Sequence, residues 1–477
     1  MQSNTINLHS NKKNILALIK SISGIRGTIG GVPGDGLTPI DILKYSAAFG
    51  QWVLQKYQNP LIVIGRDGRI SGELVRNIVA STLQALGIHV IDLGLTTTPT
   101  VEMAVKMENA GGGIIITASH NPKEWNALKL LNNQGEFISN TDGEEVLKMG
   151  DNQDFQFAAI TKLGTLSTND TYREKHIQEI LKHPLVDVKS ITSTNFKIVV
   201  DGINSTGAVY VPYLLKSLGV ENIIVLNEEV NGKFAHNPEP LPNNLLEISK
   251  VVVRENADLG IVVDPDVDRL CFINDDGSMF GEEYTLVSIA DYILKNKKGN
   301  TVSNMSSTRA LKDITEKHGG SYFTSAVGEV NVVQKMKEVN AIIGGEGNGG
   351  VILPELHYGR DALVGIALFL SHLAKFGKSI SELRHIYPNY FMSKNKIDLD
   401  KKIDVKKIFE GIQEIYKKYP INTDDGIKID FENEWVHLRT SNTEPIIRIY
   451  TESTSETTAE NIAKKIIIDI KELMKMQ

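Results

Sequence analysis

Gly113-Ile114-Ile115-Ile116-Thr117-Ala118-Ser119-His120-Asn121-Pro122 is the stretch on which the reading of the fold turns. A short β-branched apolar run that stops at small and polar residues and a proline reads as a buried strand closing in a turn. Ser119 then stands at the carboxyl end of a strand, the edge at which open α/β sheets meet their ligands. Alone, a Ser-His-Asn turn can simply end a strand, so its neighbours decide. Upstream, Leu61-Ile62-Val63-Ile64 runs into Gly65 to Gly72, Glu73 to Leu86 has helical spacing, and Val90-Ile91-Asp92-Leu93 ends at Gly94. Strand, helix, strand, helix, strand with such connections predicts parallel strands and crossover helices.

The succession recurs downstream. Lys197-Ile198-Val199-Val200, Ile223-Ile224-Val225-Leu226 and Leu259-Gly260-Ile261-Val262-Val263 repeat it, and Thr301-Val302-Ser303, Ser321 to Ser325 and Ala341-Ile342-Ile343 repeat it more faintly. Each third strand empties into a loop rich in chemistry: Thr117 to Pro122, Asp264 to Arg269, and Gly344 to Gly350. Units of about a hundred residues are too long for a solenoid and indicate related α/β domains laid side by side. Beyond about Lys375, Lys-rich segments alternate with Trp435-Val436-His437-Leu438 and Ile446-Ile447-Arg448-Ile449-Tyr450. Ala459 to Met476 then reads as an amphipathic closing helix, which makes a smaller α+β cap.

At 477 residues the chain exceeds a single core, and three or four domains are expected. A net charge of -7 argues against a general nucleic-acid binder, so any anion site must be local. The single cysteine, Cys271, sits in Leu270-Cys271-Phe272-Ile273; it reads as a core thiol and fits a reducing cytoplasm. Met1 to Lys13 is polar and reads as a loose extension without a signal peptide, and no apolar run has the length of a membrane span.

The acidic loop Asp264-Pro265-Asp266-Val267-Asp268-Arg269 places carboxylates at every second position after an apolar strand. Their mutual repulsion calls for a hard cation, and Mg²⁺ is the natural occupant. An EF-hand is disfavoured, because the glycine and distal glutamate of that loop are missing. In Gly344-Gly345-Glu346-Gly347-Asn348-Gly349-Gly350 the glycines let backbone approach a ligand, while Glu346 and Asn348 offer groups that suit sugar hydroxyls. Arg439-Thr440-Ser441-Asn442-Thr443-Glu444-Pro445, with Arg448 beyond, has the make-up of a phosphate clamp. Ser23-Gly24-Ile25-Arg26-Gly27 and Arg66-Asp67-Gly68-Arg69 with Ser71 are supporting clusters. Together these features point to phosphoryl transfer on a phosphosugar, chemistry that asks mainly for positioning and charge neutralisation.

On Thr-Ala-Ser-His-Asn-Pro, Asp-Pro-Asp-x-Asp-Arg and the two later motifs in the same order, the chain after about Ser21 resembles the α-D-phosphohexomutases. The resemblance implies an α/β fold of three similar three-layer domains and a smaller C-terminal α+β domain, TATA-binding-protein-like, around one central cleft. The expected division is 1–160 with the phosphoserine loop, 161–276 with the Mg²⁺ loop, 277–385 with the sugar loop and 386–477 with the phosphate loop. It further implies that Ser119 carries a phosphoryl group and joins Asp264, Asp266 and Asp268 in holding Mg²⁺. A hexose bisphosphate would serve as activator and intermediate. Arg439, Ser441, Asn442 and Thr443 would hold the unreacting phosphate, Glu346 and Asn348 would grip the sugar, and Arg448 and Arg269 would also bind substrate. Lys129, with a lowered pKa and Arg26 in support, is expected as the base, and His120 is the alternative.

Asn348 and Gly350 depart from the family's usual Ser and His, and Trp125 and Ala127 from its Tyr and Gly. Val327-Gly328-Glu329 looks closer to the Val-Gly-Asp of phosphoglucosamine mutases, which favours conversion of glucosamine 6-phosphate to glucosamine 1-phosphate. A phosphomannomutase/phosphoglucomutase is the alternative, followed by a Mg²⁺-dependent sugar phosphatase and a non-catalytic sugar-phosphate binder. The expected setting is cytoplasmic, as a monomer or homodimer, with a phosphosugar substrate and neither nucleic acid nor membrane as partner.

Overall fold

The computed structural model describes residues 17–21, 24–399, 403–440 and 446–475. The expected strands form, and they fall into four sheets. In the first, Leu61–Arg66 lies between His89–Leu95 and Gly112–Ile116, parallel to both. These strands are nearly continuous β-branched runs because helices cover both faces. Pro39–Lys56 and Gly72–Ala85 pack together on one side and Thr98–Met107 lies on the other. Pro39–Lys56 begins where it does because Thr38 and Asp41 form a capping box and Pro39 occupies the first turn. The sheet takes its edge strand, Leu166–Thr168, from beyond the boundary expected at 160.

The second sheet orders Leu270–Ile273, Leu259–Val263, Lys197–Asp201 and Asn222–Leu226, and the third Tyr322–Ser325, Asn300–Asn304, Ala341–Glu346 and Gly350–Ile352. They share one core between them and keep a smaller separate cluster each, around Val199 and Ile248 in the second and Val302 and Met336 in the third. Helix Ala362–Phe376 is buried at every residue from Ala362 to Leu373 and sits in one hydrophobic cluster that reaches from Ile198 and Tyr210 to Ile343 and Val351. Phe272 of the second sheet stacks on its Phe369 at 3.8 Å between ring centres. A helix apolar on all sides is expected to be enclosed on all sides, and this one joins two sheets.

The fourth sheet, Phe391–Asp398, Ile446–Ser453, Trp435–Thr440, Ile427–Asp430 and Ile421–Asn422, is wholly antiparallel. Helices Val405–Tyr416 and Glu456–Lys475 cover it through Ile408, Ile412, Ile466 and Ile470. No helix among the described residues is long and apolar enough to cross a membrane.

The return strands of the three chemical loops were not expected. Each chemical loop connects a parallel strand to an antiparallel return strand: Gly112–Ile116 to Trp125–Leu131, Leu259–Val263 to Leu270–Ile273, and Ala341–Glu346 to Gly350–Ile352. The return strand in the first sheet escapes sequence patterning because buried Asn126 and Lys129 interrupt its apolar residues. Each loop is therefore held at both ends.

Candidate active site

Ser119 lies in the left-handed region at φ 49°, a conformation uncommon for serine and held by its surroundings. Its N–H donates to Thr117 Oγ1 at 2.9 Å, and the Thr117 hydroxyl donates to Asp67 at 2.7 Å. Arg69 completes the support. Its Nε donates to Asp67 at 3.0 Å, and its two terminal nitrogens donate to the carbonyls of Ser119, Asn121, Pro122 and Trp125 at 2.5–2.8 Å. The Arg66 to Ser71 cluster is thus scaffold for the serine loop, with Arg69 buried beneath it.

The Ser119 hydroxyl donates to Asp264 Oδ2 at 2.6 Å across 145 residues of chain. Asp264, Asp266 and Asp268 are fully buried and converge within 4.8 Å. Asp264 Oδ1 accepts the backbone N–H groups of Asp268 and Arg269, both at 3.1 Å, a turn that puts β-branched Val267 at φ 62°. Such strain costs about 1–3 kcal/mol and persists only where the surroundings impose it. Asp266 Oδ2 accepts from Thr98 at 2.6 Å and from Lys129 at 2.7 Å, while Asp268 Oδ2 accepts from Lys129 at 3.2 Å and Arg360 at 2.8 Å. The remaining oxygens, Asp266 Oδ1 and Asp268 Oδ1, are buried without a hydrogen-bond donor. Burial and then the charges of Asp266 and Asp268 push the Asp264 carboxyl well above its ordinary range. Orphaned carboxylate oxygens around a common point fit a hard divalent cation.

Lys129 does not carry the lowered pKa expected of a base. Burial pulls in that direction, but Asp266 and Asp268 outweigh it and hold the ammonium above its usual range. His120 is neutral instead: burial, then Arg269 and Arg26, keep it well below the usual imidazole value, and its Nδ1 lies 3.3 Å from Ser119 Oγ. Arg26 donates to Asn121 at 2.9 Å, which ties the first return strand's neighbour to the serine loop.

On the sugar loop, Glu346 is already engaged. Its Oε1 accepts from Asn304 at 2.9 Å and the Gly328 N–H at 3.1 Å, and its Oε2 accepts from Arg360 at 2.9 Å and Asn348 at 3.4 Å. Arg360 is the residue that sequence reading missed. Its side chain meets Asp268, Glu346 and Glu329, and its own N–H donates to Glu329 as well. Nothing in its residue type marks it, since the partners lie between 14 and 92 residues away.

These loops open on a cavity of about 810 Å³ lined by Arg26, Ser119, His120, Lys129, Arg269, Glu346, Asn348, Arg360, Arg439 and Arg448, with the three aspartates set behind Ser119. Arg439 and Arg448 stand opposite each other on adjacent strands at the cavity wall. Ser441, Asn442 and Thr443 lie outside the described residues. The fourth sheet reaches the cleft by docking on the third: Lys428 donates to the Met305 carbonyl at 2.8 Å, Ser306 pairs with His437 at 2.8 Å, and the Val327 N–H donates to Asp425 at 2.9 Å.

Three related α/β units and a smaller fourth around a cleft with a serine, an acidic cage and clustered arginines define an enzyme of phosphoryl transfer. In order along the chain, residues 18–157, 174–277, 281–390 and 396–468 match the models of α/β/α domains I, II and III and the C-terminal domain of phosphoglucomutase/phosphomannomutase. The chain belongs to that family, the phosphohexomutases. It is 37% identical over 437 residues to a phosphoglucomutase/phosphomannomutase of Thermococcus kodakarensis, covering 90% of this chain and 94% of the relative. It is 33% identical to a phosphoglucosamine/phosphogalactosamine mutase of Sulfurisphaera tokodaii, over 93% and 97% of the two chains. Its fold superposes on the crystal structure of a phosphoglucomutase/phosphomannomutase family protein from Burkholderia thailandensis with a TM-score of 0.83 at 25% identity, covering 95% and 97%.

Proposed function

We propose that this chain interconverts 6-phospho and 1-phospho hexoses, with Ser119 as phosphate carrier and a bisphosphorylated sugar as intermediate and activator. The observation that carries this reading is the Ser119 hydroxyl held 2.6 Å from Asp264, in a cleft whose other wall sets Arg439 opposite Arg448. In the forward step the Oγ–P bond of phosphoserine breaks as a sugar oxygen bonds to phosphorus; the sugar hydroxyl loses its proton and Ser119 regains one. The sugar then reorients, and its other phosphoryl group returns to Ser119. His120, whose Nδ1 lies 3.3 Å from Oγ, would pass the proton. Lys129 and Arg26 supply positive charge beside the transferring group. Asp264, Asp266 and Asp268 would hold Mg²⁺, which when bound neutralises charge on the phosphoryl oxygens. Arg439 and Arg448, with Ser441, Asn442 and Thr443, would grip the unreacting phosphate, Arg269 would assist, and Glu346 and Asn348 would face the sugar.

Glucosamine phosphate is the sugar proposed first, from Val327-Gly328-Glu329. Glucose and mannose phosphates form a second reading, favoured by one contact: both Glu329 oxygens accept from Arg360, whose charge offsets the attraction for an amine. A cytoplasmic enzyme, monomeric or homodimeric, is proposed, and the buried Cys271 is in keeping with it.

Comparing rates on the three hexose phosphates with a catalytic amount of bisphosphate tests the reading. Ser119→Ala is expected to abolish turnover and spare substrate binding, and intact mass spectrometry is expected to show one added phosphate on the native serine. Unchanged turnover in Ser119→Ala refutes the carrier role. Free phosphate released at the isomerisation rate would make the enzyme a phosphatase instead.

A further inference from the structure

We propose that Arg360 is a positioning residue that sets which hexose the cleft accepts, by neutralising Glu329 and Glu346 beside the sugar; this rests on the phosphosugar reading above. Its three guanidinium nitrogens each donate to a different carboxylate: Nε to Glu329 at 2.9 Å, Nη1 to Glu346 at 2.9 Å and Nη2 to Asp268 at 2.8 Å. Its main-chain N–H takes the other Glu329 oxygen at 3.1 Å. One planar group thereby joins the acidic loop, the sugar loop and the helix that begins at Glu329, a geometry that an ammonium point charge cannot reproduce.

The sugar loop is shaped to admit this side chain. A Cβ on Gly350 would stand 2.3 Å from Arg360 Cδ, so the absence of a side chain at 350 is what lets the guanidinium lie over the loop. A guanidinium has five N–H groups and three are used here, which leaves two for an oxygen in the cavity that Arg360 lines. A hydroxyl can accept such a bond and an ammonium cannot.

The consequence for specificity is electrostatic. With Arg360 present, the charge of Glu329 is already met through both its oxygens, and a protonated amino sugar meets a guanidinium. Without it, Glu329 and Glu346 stand unneutralised at the cavity wall, and the site gains one unit of negative charge. Removing Arg360 therefore moves the preference towards the amino sugar, whichever hexose the intact enzyme favours. Specificity of this kind is a difference of affinities, and the repulsive element contributes as much as the attractive one.

The test measures kcat/KM and, by calorimetry, Kd for glucosamine 6-phosphate and glucose 6-phosphate at about pH 6.5, where the amine is largely protonated. Arg360→Gln is expected to raise the glucosamine-to-glucose ratio by about tenfold or more, the size of one uncompensated charge contact. Arg360→Lys should keep the ratio near that of the intact enzyme while lowering kcat/KM for both sugars. Glu329→Gln added to Arg360→Gln should bring the ratio back. If Arg360→Gln does not fold, Glu329→Gln alone must shift the ratio towards glucose. Parallel losses on both sugars, or an unchanged ratio, overturn the proposal while leaving the mutase reading intact. A Kd ratio that moves in a chain that never isomerises a hexose phosphate upholds Arg360 and overturns the mutase reading. Binding of neither sugar overturns both.

Discussion

The acidic loop Asp264–Arg269 and the glycine-rich loop Gly344–Gly350 share one plan. Each leaves a parallel strand, turns, and returns antiparallel in the same sheet. They differ in how their carboxylates are met. On the acidic loop, Asp266 Oδ1 and Asp268 Oδ1 are buried with no donor, although Lys129 and Arg360 stand beside the other oxygens. On the glycine-rich loop, Asn304, Gly328, Arg360 and Asn348 supply one donor for each acceptor site of Glu346. The first loop leaves two carboxylate oxygens unmet; the second leaves none. A carboxylate at a strand end is therefore not a ligand by residue type, and the donors already around it decide what it can still bind.

The sharpest way to break this contrast is Asp266→Asn. The amide removes charge from the cage, and turnover should fall by about 10³-fold or more, with loss of divalent-cation binding in a calorimetric titration. Near-native activity with Mg²⁺ would mean that the orphaned oxygens are not the cation's ligands. Glu346→Gln should do less. One amide hydrogen pair would face donors it cannot accept, so stability should fall by about 1.5–3 kcal/mol in a denaturant titration, with turnover down about tenfold, mainly through KM. A collapse as deep as that of Asp266→Asn would erase the distinction between the loops.

The smallest effect lies on the reverse of the turn that carries Arg360. There Asp361 contacts His176 at 3.0 Å and His357 at 3.3 Å, and His357 lies 3.2 Å from Glu102, which joins three parts of the chain in one buried cluster. Burial works against the His357 imidazolium, yet Asp361 and Glu102 push it up to about 10; burial pushes the Glu102 carboxyl up to about 8. Both groups hold their protons more tightly folded than unfolded, where 6.5 and 4.5 are the ordinary values. Their joint contribution is thus complete below about 4.5, declines as pH rises above the two ordinary values, and is gone once pH has passed about 8 for Glu102 and about 10 for His357. The melting temperature should fall by several degrees between about pH 5 and about pH 10, and His357→Asn should flatten that slope. An unchanged slope in the variant would place the titration elsewhere.

Much of this was legible in the sequence, because the informative motifs are contiguous. Thr117 to Pro122 and Asp264 to Arg269 each carry their chemistry within a few residues, so residue type and spacing were enough to bring Ser119 and the aspartates together. The strands were legible for the same reason, as unbroken apolar runs. What stayed hidden depends on contacts between distant segments. Arg360, Arg69 and Thr98 look like ordinary surface or turn residues until the fold sets them against Asp268, the serine loop and Asp266. The pairing of Lys129 with Asp266 and Asp268 was hidden too, since they face it from 137 and 139 residues away. The shared core of the second and third sheets was hidden likewise, since a fully apolar helix does not announce how many neighbours enclose it.

Arg69 has a consequence beyond support. Five hydrogen bonds from one buried guanidinium fasten the turn at Asp67 to the loop from Ser119 to Trp125 at several points. In a chain with one cysteine, this is the nearest thing to a covalent staple, and it differs from a disulfide in a useful respect. No reductant opens it and no oxidant is needed to close it, so the frame of the serine loop stays indifferent to the redox state around it.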